Sequence, residues 1–301
     1  ERVGTSGQWT MILLNGKKYY VSSAYVTSKK PASAGAVQTT SQTAAGAQTS
    51  GGTAIALSSN YKYANYSKIN SGTATLYRST ASNKKNKVVC VNAGHGTNGG
   101  GSVKTQCHPD GSAKVTGGTT GAGATSAVAV SSGMTFADGT AESKVTLAMA
   151  KVLKTKLLNA GYDVLMIRES DDVQLDNIAR TVIANNNADC HIALHWDSTS
   201  SNKGAFFMSV PSNATYREME PVASHWKQHN QLGESLISGL KSAGVKIYSK
   251  GSMEMDLTQT SYSTIPSVDI ELGDKASDHS GATLETLANG LLTGVNTFFG
   301  Q

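Results

Sequence analysis

From residue 87 onward, short apolar runs rich in β-branched residues alternate with longer stretches in which apolar residues recur at helical spacing. The clearest helical stripe predicts a helix over residues 140–160 and consists of Val145, Met149, Val152, Leu153 and Leu157. Further helices are predicted over residues 173–187, 228–243 and 283–299, and strands over residues 87–91, 162–167, 190–196, 204–210, 245–248 and 268–272. This alternation indicates an α/β fold with a largely parallel twisted sheet and helices on both faces.

The chain before residue 87 has a different composition and divides into three segments. Residues 1–28 are predicted to form a small β-rich segment, because their strand-like runs are separated by Asn15-Gly16, a strong hairpin-turn signal. Residues 29–54 are almost entirely Ser, Thr, Ala, Gly and Gln, a composition that predicts a flexible linker. Residues 55–86 are predicted to be a Tyr-rich β segment, whose tyrosines are either ordinary strand aromatics or a glycan-stacking surface.

Residues 1–28 also resemble the last part of a bacterial Src-homology-3-like wall-binding domain. The residues that carry this resemblance are Gly7-Gln8-Trp9, Asn15-Gly16 and Tyr20-Val21-Ser22-Ser23. Only part of such a domain is present, so the resemblance implies a partial wall-binding segment.

The formal charge of +5 and the pI of about 9.0 are compatible with attraction to polyanions such as anionic wall polymers. No long block of consecutive basic residues is present, so a nucleic-acid partner is not expected. No run of about 18 apolar residues predicts a transmembrane helix, and Glu1-Arg2-Val3 does not open a signal peptide. Of the three cysteines, Cys90 and Cys190 lie in apolar runs and are predicted to be inert buried thiols.

Residues able to bind a metal follow the predicted strands. His95 follows the first strand, His195 lies at the end of the third, and Glu271 lies near the end of the last. Glu142 lies near the start of the first long helix, so a parallel sheet would bring all four side chains to one edge. Two imidazoles and a carboxylate can hold zinc at about 2.0–2.2 Å and leave a fourth position open for water. A strand-end histidine is more often a hydrogen-bonded structural group, although the glycines that flank His95 favour a ligand role.

Residues 87–300 resemble the zinc-dependent N-acetylmuramoyl-L-alanine amidases that have a histidine–glutamate–histidine metal site. The segments that carry the resemblance occur in the family's order. They are Val91-Asn92-Ala93-Gly94-His95-Gly96, Gly139-Thr140-Ala141-Glu142, Val145-Thr146-Leu147-Ala148, Ala160-Gly161-Tyr162-Asp163-Val164, Arg168, Leu175, Arg180, Ala184-Asn185, Ala188-Asp189, Ile192, His195 and Pro266-Ser267-Val268-Asp269-Ile270-Glu271-Leu272-Gly273.

The resemblance implies that residues 87–301 are an amidase catalytic domain in which His95, Glu142 and His195 bind zinc. It implies that Glu271 is the catalytic carboxylate, which acts as general base and then protonates the departing alanine nitrogen. The implied substrate is peptidoglycan, cut between N-acetylmuramic acid and L-alanine, and the implied location is the cell wall, after secretion, as for an autolysin. Two other interpretations stay open: an inactive peptidoglycan-binding protein of the same fold, and a zinc peptidase acting on stem peptides.

The sequence departs from the family in two places. Residues 97–141 form a long insertion that contains Cys107-His108-Pro109-Asp110, and a loop of this length is expected to rim the active site. His108 is disfavoured as an extra ligand, because a fourth protein ligand would close the position that catalysis needs. After Glu271 the family commonly continues with Gly-Phe and a Ser-Asn pair, whereas this chain has Gly273-Asp274-Lys275.

Other polar residues are assigned structural roles. His191 is predicted to be a core residue, and His225, His229 and His279 are predicted to lie in surface or loop positions. Arg168 and Arg180 are expected to be ion-pair partners rather than substrate ligands. Trp196 either stacks on a sugar ring or packs the sheet edge.

Overall fold

A computed structural model of the chain describes residues 2–6, 9–14, 17–22 and 51–301. The chain divides into two compact units, Glu1–Ala45 and Gly46–Gln301. In the first unit, strands β1 (Arg2–Ser6), β2 (Trp9–Leu14) and β3 (Lys17–Ser22) form an antiparallel sheet. Leu14 pairs with Lys17, as a two-residue hairpin connection requires. The turn residues Asn15 and Gly16 and linker residues 29–50 lie outside the described residues, and the wall-binding assignment stays a prediction.

The second unit is built from ten strands and six helices in its described residues. The strands are β4 (Thr53–Ala56), β5 (Thr73–Tyr77), β6 (Val88–Ala93), β7 (Lys104–Gln106), β8 (Ser126–Val128), β9 (Asp163–Met166), β10 (Cys190–Asp197), β11 (Ala205–Ser209), β12 (Ile247–Glu254) and β13 (Ser267–Asp274). The helices are α1 (Glu142–Asn159), α2 (Asn177–Asn187), α3 (Ala214–Glu218), α4 (Val222–Ser242), α5 (Thr258–Tyr262) and α6 (Gly281–Phe299).

Eight strands form one sheet in the order β12-β11-β13-β10-β6-β9-β5-β4. The four central strands, β13, β10, β6 and β9, are all parallel to their neighbours within this group. Strand β11 is antiparallel to β13 and parallel to β12, while β5 is antiparallel to both β9 and β4. The prediction of a mixed α/β fold with a largely parallel sheet is therefore confirmed.

Helices cover both faces of this sheet. Helices α1, α4 and α6 bury the larger core, which includes Val89, Val91, Ile192 and Leu194 on the central strands. Helix α2 covers the opposite face, where Cys90 and Leu165 pack with Ala179 and Ile183. Strands buried on both faces favour continuous apolar sequence, which is why β6 and β9 are visible as unbroken apolar runs.

Two sequence-derived boundaries need correction. Residues 51–54 belong to the second unit, and Thr53 and Ala54 form part of β4 rather than of a linker. The segment 55–86 is not separate from the catalytic sheet, because β5 pairs with β9 and extends it. Two of the tyrosines pack against Tyr262. The centroid of the Tyr63 ring lies 5.5 Å from that of Tyr262, and the centroid of the Tyr66 ring lies 5.4 Å from it.

Three predicted elements have shifted ends. Helix α2 begins at Asn177, four residues later than predicted. The preceding residue, Asp176, caps the helix, because its side chain accepts a hydrogen bond from the backbone N–H of Ala179. Helix α4 begins at Val222, six residues earlier than predicted. Strand β12 continues past its predicted end at Tyr248 to Glu254. The sequence did not reveal this continuation, because positive φ angles at Ser249 and Gly251 interrupt the regular alternation of side chains. No helix in the described part of the chain is long and apolar enough to cross a membrane.

Helices α4 and α6 approach closely where glycines face each other. A Cβ added at Gly294 would lie 2.5 Å from Cα of Leu236 and 2.7 Å from the carbonyl oxygen of Ser235. We therefore expect Gly294→Ala to force the helices apart and to lower the free energy of unfolding by about 2 kcal/mol, measured by urea denaturation.

The matched control is Gly281→Ala in the first turn of α6, where an added Cβ meets nothing within 4 Å. This variant should be as stable as the wild type or slightly more stable. Equal stability of the two variants would show that the α4–α6 contact tolerates a methyl group.

Candidate metal centre and active site

The register of three parallel strands brings the predicted site residues to one edge of the sheet. His195 on β10 is paired with Glu271 on β13, and Leu194 is paired with Ala93 at the end of β6. His95 follows two residues after Ala93, and Glu142 is the first residue of α1. The sheet edge therefore collects all four side chains, as the sequence predicted from the strand ends.

His95, Glu142 and His195 present one ligand atom each to a common point. Glu142 Oε1 lies 2.9 Å from His95 Nε2 and 3.1 Å from His195 Nδ1, and the two ring nitrogens are 3.1 Å apart. Donor atoms on a tetrahedral zinc ion with bonds of about 2.0–2.1 Å are separated by about 3.3–3.4 Å. The donor types and their spacing fit such an ion after a displacement of a few tenths of an ångström.

Backbone groups fix the orientation of the first histidine and the glutamate. His95 Nδ1 lies 2.9 Å from the carbonyl oxygen of Ser131, which can only accept, so Nδ1 carries the proton and Nε2 is left with a lone pair. Glu142 Oε1 accepts from the backbone N–H of Trp196 at 3.0 Å, and Oε2 accepts from that of Met134 at 2.8 Å. These contacts leave both side chains oriented toward the point that the three donors share.

Two positions near the centre leave no room for a side chain. A Cβ at Gly133 would lie 2.8 Å from both Glu142 Oε2 and His95 Cδ2, and the φ angle there is +82°. A Cβ at Gly94 would overlap the ring of His195. The glycine before His95 is thus required for close approach, as its position in the sequence suggested.

Two buried arginines hold the backbone that carries His95, which itself has a left-handed φ of 63°. Arg168 donates to the carbonyl oxygens of Ala93 at 3.0 Å and Gly94 at 2.8 Å. Arg180 donates to the carbonyl oxygens of Ala93 at 3.3 Å and His95 at 2.7 Å. The expectation that these arginines form ion pairs is wrong, because within the described residues both guanidinium groups donate to carbonyl and hydroxyl oxygens.

Burial lowers the pKa of both guanidinium groups, to about 10 for Arg168 and to about 9 for Arg180, where the neighbouring Arg168 adds to the effect. Both therefore stay charged at neutral pH. Charge-assisted hydrogen bonds of this kind are stronger than neutral ones and hold the acceptors in fixed directions.

Replacing Arg180 by methionine removes five hydrogen bonds, which run to Leu175, Asn92, Ala93, His95 and Thr97. We expect Arg180→Met to lower the free energy of unfolding by about 3 kcal/mol or more, because buried acceptors lose a charged donor. Chemical denaturation measures this loss.

The control, Arg78→Met, removes one pair with Asp163 in which the Arg78 side chain is 60% exposed, and it should cost less than about 1 kcal/mol. Similar losses in the two variants would contradict a structural role for Arg180.

Glu271 is the fourth member of the group. Its side chain is buried, and Oε2 has no hydrogen-bond partner within the part of the chain that the structure describes. Burial, followed by the neighbouring charge of Asp269, raises the pKa of Glu271 well above its usual value. A carboxyl group with a raised pKa and an oxygen free of partners among the described residues is suited to accept a proton.

The centre combines three carboxyl groups with two imidazoles. Burial alone would lower the pKa of His195, but the carboxylates of Asp269, Glu142 and Glu271 raise it to about 10. Burial also raises the pKa of Asp269, which no separate sequence signal assigned to the site. The spacing of two residues from Glu271 on a strand could have found it, because such residues share one face of a sheet. Three carboxylates around two imidazoles favour a bound cation.

The site opens into a cleft of about 510 Å³. The insertion forms one side with residues that include Gly118, Thr119 and Thr120, as expected for a loop that rims the site. The lining also includes Met208, Met253 and Met255, and Met255 lies beside Gly118 of the insertion. Glu271, Asp269 and His195 line the same cleft, so a substrate lying in it would contact both the insertion and the centre.

One buried carboxylate joins the insertion to the rest of the domain. Asp256 accepts hydrogen bonds from the backbone N–H groups of Val115 at 2.8 Å and Thr116 at 3.0 Å, and from the side chain of Lys114. His108 Nε2 also lies 3.0 Å from Asp256 Oδ2, while its Nδ1 contacts Ser112. His108 is therefore occupied away from the His–Glu–His group.

Burial tends to raise the pKa of Asp256, but hydrogen bonds from His108 and Thr116 and the charge of Lys114 outweigh it and lower the pKa. A carboxylate with a lowered pKa stabilises the fold fully above its unfolded pKa of about 4, and this stabilisation is lost as pH falls toward the lower folded pKa. We expect Asp256→Asn to lower the free energy of unfolding at pH 7 by about 3 kcal/mol. The difference from wild type should shrink below about pH 4.

Urea denaturation over a pH series measures this difference. The control, Asp171→Asn, changes a carboxylate that is 74% exposed and should follow the wild-type curve. A difference for Asp256→Asn that did not change with pH would rule out the ionised form as the source of its stabilisation.

Other predicted roles have mixed outcomes. His191 is a core residue whose Nε2 lies 3.2 Å from Asn92 Nδ2, as predicted. His229 is not a surface residue, since it is buried and its Nδ1 accepts from the backbone N–H of Ser267 at 3.0 Å. Its spacing from Leu232 and Leu236 on α4 follows the buried helical stripe and could have revealed this.

Trp196 is 2% exposed and packs near Phe136, so it packs the sheet edge.

The departure after Glu271 is also structural. Asp274 is buried and accepts hydrogen bonds from the backbone N–H of Lys203 at 3.2 Å and of Ala276 at 3.0 Å. It also lies 3.2 Å from the hydroxyl group of Thr199. Asp274 thus holds the loop that follows β10 against the end of β13.

The fold and this centre together define an α/β enzyme with a cleft and a set of donors that fit a divalent metal ion. Residues 89–289 match the model of the Amidase_3 family, N-acetylmuramoyl-L-alanine amidase. This match spans more than half of the chain, so the chain belongs to the N-acetylmuramoyl-L-alanine amidases, which hydrolyse an amide bond of peptidoglycan. The resemblance found in the sequence is thereby confirmed.

Solved structures agree with the fold. The N-acetylmuramyl-L-alanine amidase Ami1 from Mycobacterium smegmatis is similar with a TM-score of 0.58 and 17% identity, over 73% of this chain and 99% of that chain. The apo form of Ami1 from Mycobacterium abscessus is similar with a TM-score of 0.53 and 20% identity, over 71% of this chain and 98% of that chain. None of the curated proteins matches the chain.

Proposed function

We propose that this amidase is zinc-dependent, with His95, Glu142 and His195 as the metal ligands and Glu271 as the catalytic carboxylate. The observation that supports this most is the triangle of donor atoms with sides of 2.9, 3.1 and 3.1 Å. His195 of this triangle is paired with Glu271, whose buried Oε2 has no hydrogen-bond partner among the residues that the structure describes. The bond cut is the amide between N-acetylmuramic acid and the L-alanine of the stem peptide.

Bound zinc would supply Lewis acidity at the carbonyl group of the scissile amide. Glu271 Oε2 takes one proton from the attacking water as the new C–O bond forms. The same oxygen then delivers that proton to the alanine nitrogen as the C–N bond breaks. The products are a free lactyl carboxylate and a free alanine amino group, so one water is consumed and Glu271 returns to its starting state.

The proposed place of action is the cell wall, after secretion, in the manner of an autolysin. The formal charge of +5 supports attraction to anionic wall polymers, and the β-rich segment at residues 1–28 supports a wall-binding role. The complete set of His95, Glu142, His195 and Glu271 disfavours an inactive binding protein of the same fold. A zinc peptidase would share this chemistry and differ only in its products.

Purified peptidoglycan should gain N-terminal L-alanine when incubated with the protein, and a zinc chelator should abolish this gain. Glu271→Gln should lower the rate by about 10²–10⁴-fold, because the amide side chain cannot transfer a proton. The variant should still hold zinc, since Glu271 is not one of the three donors. End-group labelling measures the rate, and elemental analysis measures the metal.

The matched control is Glu285→Gln, which should leave the rate unchanged. Glu285 is an exposed residue of α6 and pairs with Lys156 in the last turn of α1. New amino termini on residues other than L-alanine would instead identify a stem-peptide peptidase. Bound zinc with no cleavage by any of the proteins would favour the binding protein.

A further inference from the structure

The ring of His195 faces two different groups. Its Nδ1 atom points to the shared donor point, at 3.1 Å from Glu142 Oε1. Its Nε2 atom lies 3.5 Å from Asp269 Oδ2, which is within ion-pair distance and slightly long for a direct hydrogen bond. The other oxygen of Asp269, Oδ1, is buried and has no hydrogen-bond partner among the residues the structure describes.

A histidine can offer a lone pair at Nδ1 only when its proton lies on Nε2. An acceptor placed beside Nε2 favours that tautomer and restrains rotation of the ring. The carbonyl oxygen of Ser131 supplies such an acceptor to His95, on the other side of the centre. Among the described residues that contact His195, the carboxylate of Asp269 is the group placed to do the same at Nε2.

The sheet gives this carboxylate its position. Asp269 is paired with Ala193 on β10, two residues before His195, so all three side chains share one face. Burying a carboxylate without full hydrogen bonding is unfavourable, so the position is costly for the fold by itself.

We propose that Asp269 is a positioning residue, which holds the His195 ring and its Nε2 proton so that Nδ1 can bind the metal. The proposal rests on the proposed role of His195 as a zinc ligand. It predicts that loss of Asp269 weakens zinc binding without weakening the metal-free fold.

The test measures zinc affinity by competition with a chromogenic chelator, for the full chain and its variants. Asp269→Ala should bind zinc about 10–100-fold more weakly than wild type, the usual effect of losing a group that orients a metal ligand. The zinc affinity of Asp269→Asn should lie between those of wild type and Asp269→Ala, because its amide oxygen can accept a hydrogen bond from Nε2 but carries no charge. Thermal unfolding of the metal-free proteins should show Asp269→Asn to be no less stable than wild type.

The control is Asp171→Asn, which changes an exposed carboxylate that does not line the cleft, and which should bind zinc as wild type does. Unchanged zinc affinity in both Asp269 variants, with lower amidase activity, would overturn the proposal and place Asp269 on the substrate instead. Weaker zinc binding matched by an equal loss of metal-free stability would also overturn it, as a general structural defect. Failure of wild type to bind zinc would overturn the proposed metal site itself, which the other outcomes leave standing.

Discussion

The catalytic edge of this protein depends on how two buried arginines hold the chain as it leaves β6. The carbonyl groups of Ala93, Gly94 and His95 lie where the sheet ends, and Arg168 and Arg180 donate to all three. A guanidinium group offers five donors in a rigid plane, so the acceptors are fixed in direction as well as in distance. This fixes the left-handed turn at His95 and with it the meeting of that ring with Glu142 and His195.

The second feature of the centre is its concentration of negative charge. Glu142, Asp269 and Glu271 surround two imidazoles in a buried place, which raises the pKa of Asp269 and Glu271 and of His195. Such a group of carboxylates is unfavourable for folding and favourable for holding a cation. Stability is thus given up at a sheet edge whose donor atoms fit a divalent cation.

The insertion combines two kinds of contact, because its Gly-, Ser- and Thr-rich sequence offers few apolar side chains. Phe136 and Val130 are buried, and Phe136 joins the main core. Polar contacts to the domain are centred on Asp256 and supplemented by hydrogen bonds such as that from Tyr66 to Pro109 at 3.0 Å. The contacts of Asp256 depend on its ionised carboxylate, so the position of this part of the insertion is sensitive to pH.

The sequence by itself determined the α/β fold and the meeting of His95, Glu142, His195 and Glu271 at one edge of the sheet, because apolar periodicity is local and parallel strands end at one edge. It did not reveal that β4 and β5 join the sheet or that Arg168 and Arg180 bind carbonyl groups. Nor did it assign a role to Asp256. Each of these depends on contacts between residues far apart along the chain, such as His108 and Asp256, which are separated by 148 positions. Only the tertiary structure decides such contacts, since side-chain direction and strand register are set by packing as a whole and leave no periodic signal in the chain.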